Sequence, residues 1–298
     1  MSKQTILIAG ATGSIGAAAA TALARRGAKV VLLGRDQNKL DLKAKHIHRD
    51  IEESEITSPD IDIDTMVIDF SDLQSVRINA ANAMDRYASI DALVFSVGIL
   101  KQNGPHILPN GHELMFATNV IGPFLFTRLL MDRLQLSNAM ILHVIAPFNK
   151  KIDWDDLESI KKHKTMTAFD RTKTFNRVFA GELARRSEGK ISSVAFDPTY
   201  VIDKTDPDLH KKWPSGITGF FWKVMTLLFA KSPAVAGEPM AKIIIDYKDR
   251  NAINGALFKL EQRIEKPDEA MTDESMGIRF WDALWHLTES PQAVSNSK

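Results

Sequence analysis

The stretch Thr5-Ile6-Leu7-Ile8-Ala9-Gly10-Ala11-Thr12-Gly13-Ser14-Ile15-Gly16 decides how this chain is read. The apolar residues 5–9 predict a buried strand, the glycines a tight turn, and the alanine-rich run behind them a helix leading to a second strand at 30–33. Gly10 permits the turn, while Gly13 and Gly16 let a pyrophosphate and the next helix come close to the backbone. The N–H groups of the helix's first turn then point at the anion, so Gly10, Thr12, Gly13, Ser14, Ile15 and Gly16 are read as a dinucleotide cradle. Glycines alone mark many ordinary turns; these gain weight by joining a strand to a helix inside one βαβ unit.

Gly34-Arg35-Asp36 closes the second strand. An acidic residue there would accept the ribose hydroxyls of NAD, whereas a guanidinium pairs with a 2′-phosphate, so Arg35 favours NADP(H) over NAD(H). Asp36 competes, since its carboxylate could act on a free ribose.

Working outward, residues 37–49 predict a charged helix and 51–64 an acidic surface loop. A short strand at 66–68 ends at Asp69, where the Asp69 carboxylate or the Phe70 N–H could face an adenine; alternatively Asp69 caps the helix at 71–88. Residues 90–96 are apolar enough for a strand buried on both faces. A long helix at 113–136 carries Asn119 and then Gly122-Pro123, which predicts a bend or irregularity. Strands follow at 140–145, 191–196 and 256–260, and helices at 167–186, 232–246 and 273–288. This alternation calls for a doubly wound α/β fold: a parallel sheet of about seven strands with helices on both faces, within one dinucleotide-binding domain over 1–298. Residues 213–230 hold Phe220, Phe221, Trp222, Leu227, Leu228 and Phe229. The segment is too short for a confident membrane span and is read first as a lid near 205–230 over an apolar substrate, then as an interfacial membrane helix or a dimer contact.

With 38 Lys plus Arg against 37 Asp plus Glu, the chain offers no net field for nucleic acid or an anionic membrane. The absence of cysteine excludes disulfides and a thiol nucleophile and fits a cytoplasmic setting. The first strand begins almost at once, leaving no expectation of a signal peptide. His46 and His48 form the only close histidine pair, without further ligands beside them, so no metal is expected.

The ordered series resembles the short-chain dehydrogenase/reductase family, in particular its retinol-dehydrogenase-like branch, over nearly the whole chain. It comprises the glycine turn, Gly-Arg-Asp after the second strand, Asp69 after the third, Phe116-Ala117-Thr118-Asn119-Val120-Ile121-Gly122, the Thr172-Lys173 pair followed by Asn176, and Asp197-Pro198. The resemblance implies nicotinamide-dependent carbonyl or alcohol redox chemistry by an Asn–Ser–Tyr–Lys tetrad. In such a tetrad a phenol protonates the carbonyl oxygen, an ammonium lowers the phenol pKa and holds the ribose, a serine polarises the oxygen and the asparagine supports a water relay. It further implies cofactor contacts from Ser96 and Gly98 after the fourth strand and from Pro198 and Val201 after the sixth, and a homodimer built on the helices around 113–136 and 167–186.

Against that pattern Asn119 and Lys173 are in place, but the tyrosine position is Phe169 and the serine position is Ala146. The branch's Asn-Asn-Ala-Gly is Phe95-Ser96-Val97-Gly98, its Pro-Gly segment is Pro198-Thr199-Tyr200-Val201, and Asp203 stands where a threonine usually meets the carboxamide. A single Tyr-to-Phe replacement would account for Phe169 but not for Ala146. Tyr200, Asp203, Asp170 and His143 are candidates for a replacement proton donor, with Tyr200 carried as the catalytic candidate. The leading expectation is an atypical NADP(H)-binding oxidoreductase acting on an apolar small molecule. Alternatives are a redox-neutral isomerase or cyclase on the same scaffold and a non-catalytic NADP(H)-binding protein.

Overall fold

In a computed structural model, which describes residues 3–54, 60–204, 209, 216–266 and 268–289, the alternating pattern resolves into one eight-stranded sheet. Strand β1 (Thr5–Ala9) leads to helix α1 (Ser14–Arg25), β2 (Lys29–Gly34) to α2 (Gln37–Glu52), and β3 (Asp62–Val67) to α3 (Leu73–Arg86). After β4 (Ala92–Phe95) comes a composite helical run: α4 (Leu114–Phe116), a π-helical turn (Ala117–Ile121), α5 (Gly122–Leu129) and α6 (Met131–Leu136). Strand β5 (Met140–Val144) precedes the long α7 (Thr165–Arg186), and β6 (Ser192–Asp197) precedes α8 (Gly216–Phe229) and α9 (Ala234–Ala241). The order ends with β7 (Leu257–Lys259), β8 (Gln262–Arg263), α10 (Glu269–Thr272) and α11 (Glu274–Glu289).

The strands lie in the order β3-β2-β1-β4-β5-β6-β7-β8, parallel except for the β7–β8 pair. Because the chain returns across β1 to form β4, the crossovers diverge there and open a crevice at the strand C-termini. Period-two alternation sorts β1 between two cores. Leu7 and Ala9 pack with Val76, Phe124 and Phe179 on one face. Ile6 and Ile8 pack with Leu23, Ile47 and Met240 on the other. Both faces are dry, which suits the near-continuous apolar strands.

Several boundaries differ from expectation. Helix α2 runs on to Glu52, and β3 begins at Asp62, inside the expected loop; residues 55–59 of that loop lie outside the described residues. β3 is an edge strand, so its acidic positions need not be buried: Asp64 accepts from Arg86 and from the Tyr87 hydroxyl, and Asp62 lies 3.6 Å from Lys29. The two-residue β8 brings the sheet to eight strands, in keeping with the seven or so expected. The expected irregularity at Gly122-Pro123 takes the form of the preceding π turn, where Gly122 packs on the Phe70 carbonyl oxygen in a space that admits no Cβ. The helix expected at 232–246 is α9 followed by a second π-helical turn (Lys242–Asp246). Of the expected lid, residues 205–208 and 210–215, including Trp213, lie outside the described residues; 216–229 form α8.

One side of the helices at 122–129 and 165–186 is covered by this chain's own α11. Phe280 and Trp281 meet Phe124 and Phe179 at ring-centroid distances of 5.0 to 6.3 Å, and residues 172–183 of α7 are all buried.

Candidate active site

The crevice is lined by Gly10, Thr12, Gly13, Gly34 and Arg35 together with Ile68, Phe70, Ser96, Gly98 and Thr118. At Gly10 the backbone is left-handed (φ +81°), and a Cβ there would come within 2.7 Å of the Val97 nitrogen. Gly16 lies against the Gly10 carbonyl oxygen. Helix α1 therefore starts directly beneath the turn. Its N-cap, Gly13, supplies no side-chain acceptor, and no acidic residue sits in the first turn. The amides of Ser14, Ile15 and Gly16 thus face outward without intrahelical acceptors, as an anion-binding helix start requires.

Arg35 is exposed on the rim, and its neighbour Asp36 is engaged elsewhere: its carboxylate caps α2 by accepting from the Lys39 N–H at 3.1 Å. Asp69 does not cap α3. Its Oδ1 accepts from the Ser71 N–H and hydroxyl, while Asp72 is the N-cap and accepts from Gln74. Phe70 lines the crevice as a buried ring.

At the other end of the crevice Asn119 sits inside the π turn, fully buried, with every side-chain atom committed. Its Oδ1 accepts from the Ile99 N–H at 2.8 Å, and its amide donates to the Ile99 carbonyl and to the Thr172 hydroxyl, both at 3.1 Å. The side chain is a clamp between the loop after β4 and α7. Lys173, one residue beyond Thr172, reaches under that loop, and its ammonium donates to the Val144 carbonyl at 3.2 Å. A Cβ on Gly98 would lie 2.8 Å from Lys173 Nζ, so only glycine leaves the ammonium this position. Burial pulls the Lys173 pKa down to about 8. The Phe169 ring lies 5.8 Å from Nζ, within cation–π range, where a tyrosine would have offered a hydroxyl.

Ala146 presents only a methyl group, and its carbonyl is held by Arg177 Nη2 at 2.6 Å. Arg177 also pairs with Asp268 at 2.6 Å, in a buried bridge between α7 and the segment before α10. Neither Arg177 nor Asp268 drew attention as a pair in the sequence; they lie 91 residues apart and carry no local signal. Thr199 holds a left-handed backbone (φ +66°) at the place of the family's glycine, its N–H donating to Asp197 Oδ1 at 2.7 Å. A β-branched residue is strained there, and its hydroxyl is buried without a partner.

The candidate proton donors separate clearly. His143 lies in the sheet core against the rings of Phe95 and Phe179, its Nε2 3.2 Å from the Ser193 hydroxyl. Burial drives its pKa down to about 3, so it is a neutral core residue. Asp170 is buried on α7, and its carboxyl is pushed upward by burial, with Lys150 opposing. Tyr200 places its hydroxyl 2.9 Å from that of Thr226 on α8. Val201 bridges in parallel to Lys231: the Lys231 N–H donates to the Tyr200 carbonyl and its carbonyl accepts from the Ile202 N–H, which leaves the N–H and C=O of Val201 on the other side of the chain. Asp203 is half-buried after this bridge, and Pro198 is buried before it. His46 and His48 lie two residues apart on α2, which gives them no common face. Among the described residues no three His, Asp or Glu side chains converge as a ligand set.

A model of the short chain dehydrogenase family matches residues 4–147. The chain is 29% identical over 290 residues to retinol dehydrogenase 13 of Homo sapiens, covering 93% of this chain and 82% of that protein. To retinol dehydrogenase 14 of Homo sapiens it is 28% identical over 292 residues, covering 95% and 85%. Among solved structures, an NAD+-bound xylitol dehydrogenase superposes with a TM-score of 0.65 at 16% identity, covering 86% of this chain and 97% of that one. A short chain dehydrogenase/reductase from Saccharomyces cerevisiae gives 0.64 at 16% identity, covering 91% and 98%. The structural likenesses bear on the fold alone.

Proposed function

Because the chain belongs to the short-chain dehydrogenase/reductase family, we propose that it is an NADP(H)-dependent oxidoreductase of non-standard mechanism, a single dinucleotide-binding domain acting on an apolar small molecule. The observation that carries this reading is the uncapped start of α1 beneath the glycine turn, with Arg35 on the rim of the same crevice and Asp36 withdrawn into capping α2.

In this reading the residues Gly10 to Gly16 hold the pyrophosphate, Arg35 pairs with the 2′-phosphate, and Ile68, Asp69 and Phe70 flank the adenine. Ser96 and Gly98 shape the floor, Lys173 holds the nicotinamide ribose, Asn119 fixes the loop above Lys173, and Pro198 and the backbone of Val201 meet the carboxamide. A bound nicotinamide supplies or accepts hydride. The protein's own contribution beside it is unusual, because Phe169 cannot donate a proton and Ala146 cannot polarise an oxygen. Tyr200 is assigned the proton-handling role, with Thr226 orienting its hydroxyl. The same losses favour a second reading, redox-neutral isomerisation or cyclisation, in which no proton reaches a carbonyl.

Titration with NADPH and NADH, on the wild type and Arg35→Ala, tests the premise. NADPH should bind more tightly than NADH, and Arg35→Ala should remove the preference by about tenfold or more. Binding of neither dinucleotide would overturn the reading. With cofactor bound, the double change Ala146→Ser and Phe169→Tyr should raise reductase activity on generic apolar aldehydes by about a hundredfold or more. Deuterated NADPH then separates the two readings, since only hydride transfer carries label into product.

A further inference from the structure

We propose that the Thr199 hydroxyl is a cofactor-positioning group, which orients a bound nicotinamide by hydrogen-bonding its carboxamide. The proposal rests on the reading of the crevice as a dinucleotide site. Two features of Thr199 call for an occupant. Its backbone is left-handed (φ +66°), and among the described non-glycine residues in that conformation it alone is β-branched. A branched side chain crowds its own backbone there, so the conformation persists only where neighbours impose it, and such strain gathers at ligand sites. The hydroxyl, which can both donate and accept, is also buried with no partner. Buried polar groups are nearly always paired, and an exception marks a place where a ligand or a water belongs.

Neighbours do impose this conformation. On one side the Thr199 N–H donates to Asp197 Oδ1 at 2.7 Å, the Asp197 carbonyl accepts from the Leu260 N–H at 3.1 Å, and the Pro198 ring fixes φ between them. On the other side the Tyr200 carbonyl accepts from the Lys231 N–H at 2.9 Å, and the Ile202 N–H donates to the Lys231 carbonyl at 3.1 Å. The Tyr200 hydroxyl is tied to that of Thr226 at 2.9 Å. The turn at 197–202 is thus anchored to the end of β7, to α8 and to the segment just after α8. Its one unpaired hydroxyl is held in place before any ligand arrives, which lowers the ordering cost of binding.

Topology identifies the partner. The glycine turn follows β1 and Arg35 follows β2, so in the dinucleotide reading the pyrophosphate lies over β1 and the adenosine half on the β2–β3 side. The remaining half can run only the other way, over β4, β5 and β6, and Thr199 stands two residues past the end of β6. Lys173, from α7, takes the ribose in that reading. The carboxamide is the polar group beyond the ribose, and with a carbonyl and an NH2 it suits a hydroxyl. The N–H and C=O of Val201, turned away from Lys231, extend the same polar edge. A carboxamide held at this edge fixes the rotation of the nicotinamide ring, and with it the face offered for hydride transfer.

Paired titrations with NADPH and with 2′-phospho-ADP-ribose, which lacks only the nicotinamide, test the proposal. Thr199→Val keeps the branching and removes the hydroxyl. It should weaken NADPH binding by about fivefold, the worth of one hydrogen bond, and leave the fragment unchanged. The unfolding midpoint of the cofactor-free variant should not fall, because no hydrogen bond is lost there. Thr199→Ser should bind both ligands as the wild type does. A loss shared equally by NADPH and the fragment would make Thr199 a structural residue, and unchanged NADPH affinity would leave its hydroxyl to water; either overturns the proposal. So would a wild type that binds the fragment as tightly as NADPH, which would keep the dinucleotide site but deny the nicotinamide a contact. A wild type that binds neither ligand would overturn the reading of the crevice, and this proposal with it.

Discussion

Lys173 shows how the site opposes the stability of the fold that carries it. Only 5 % of the residue is exposed, and its pKa falls from the usual 10.5 to about 8. The folded state thus binds the proton less tightly than the unfolded chain does. A penalty of roughly 3 kcal/mol is fully present below pH 8 and fades as pH rises from 8 to 10.5. Lys173→Met should remove it and lose the bond to Val144, for a net gain of about 2 kcal/mol at neutral pH. Thermal unfolding at pH 7 and near pH 10 checks this: the gain should shrink at the higher pH, while NADPH affinity falls at both. Lys173 and Asn119 were legible in the sequence because the resemblance fixes their order and spacing along the chain. The strain at Thr199 was not, since a threonine letter does not announce a left-handed backbone. Nor was the Arg177–Asp268 bridge to Ala146, which exists only once α7 and the segment before α10 have met.

Among the elements, strands buried on both faces were the easiest to read, since their apolar runs have no solvent side to dilute them. Strand β3 was hardest. Asp62 and Asp64 give it the composition of a loop, and what makes it a strand is its register with β2, from Lys29↔Asp62 to Gly34↔Val67. The π turn around Asn119 was foreshadowed only by Gly122-Pro123 just after it. Another close approach carries a prediction. Gly181 on α7 packs on the Met271 carbonyl oxygen of α10, in a space that admits no Cβ. Gly181→Ala should push α10 from its seat and destabilise the protein by about 2 to 4 kcal/mol. Denaturant unfolding measures the loss; a wild-type midpoint would show that α10 yields freely.

For the whole molecule, the arrangement that sequence resemblance could not supply is the intramolecular cover. Phe280, Trp281 and Leu284 of α11 share one core with Phe124 of α5 and Phe179 of α7. Trp281→Asp should unseat α11, uncover Phe124 and Phe179, and destabilise the fold by roughly 3 to 5 kcal/mol. Light scattering should then find larger species than the wild type forms; unchanged size and stability would refute the role of α11 as a cover. The cover also imposes an order on biogenesis. On the ribosome, β1 through β5 can assemble the cofactor half while synthesis continues, but α7 must wait for α11, more than a hundred residues after α5, before its apolar side is closed. During that interval the nascent chain displays a ring-lined surface to every chaperone and neighbouring chain, so the step most exposed to quality control waits on the synthesis of α11.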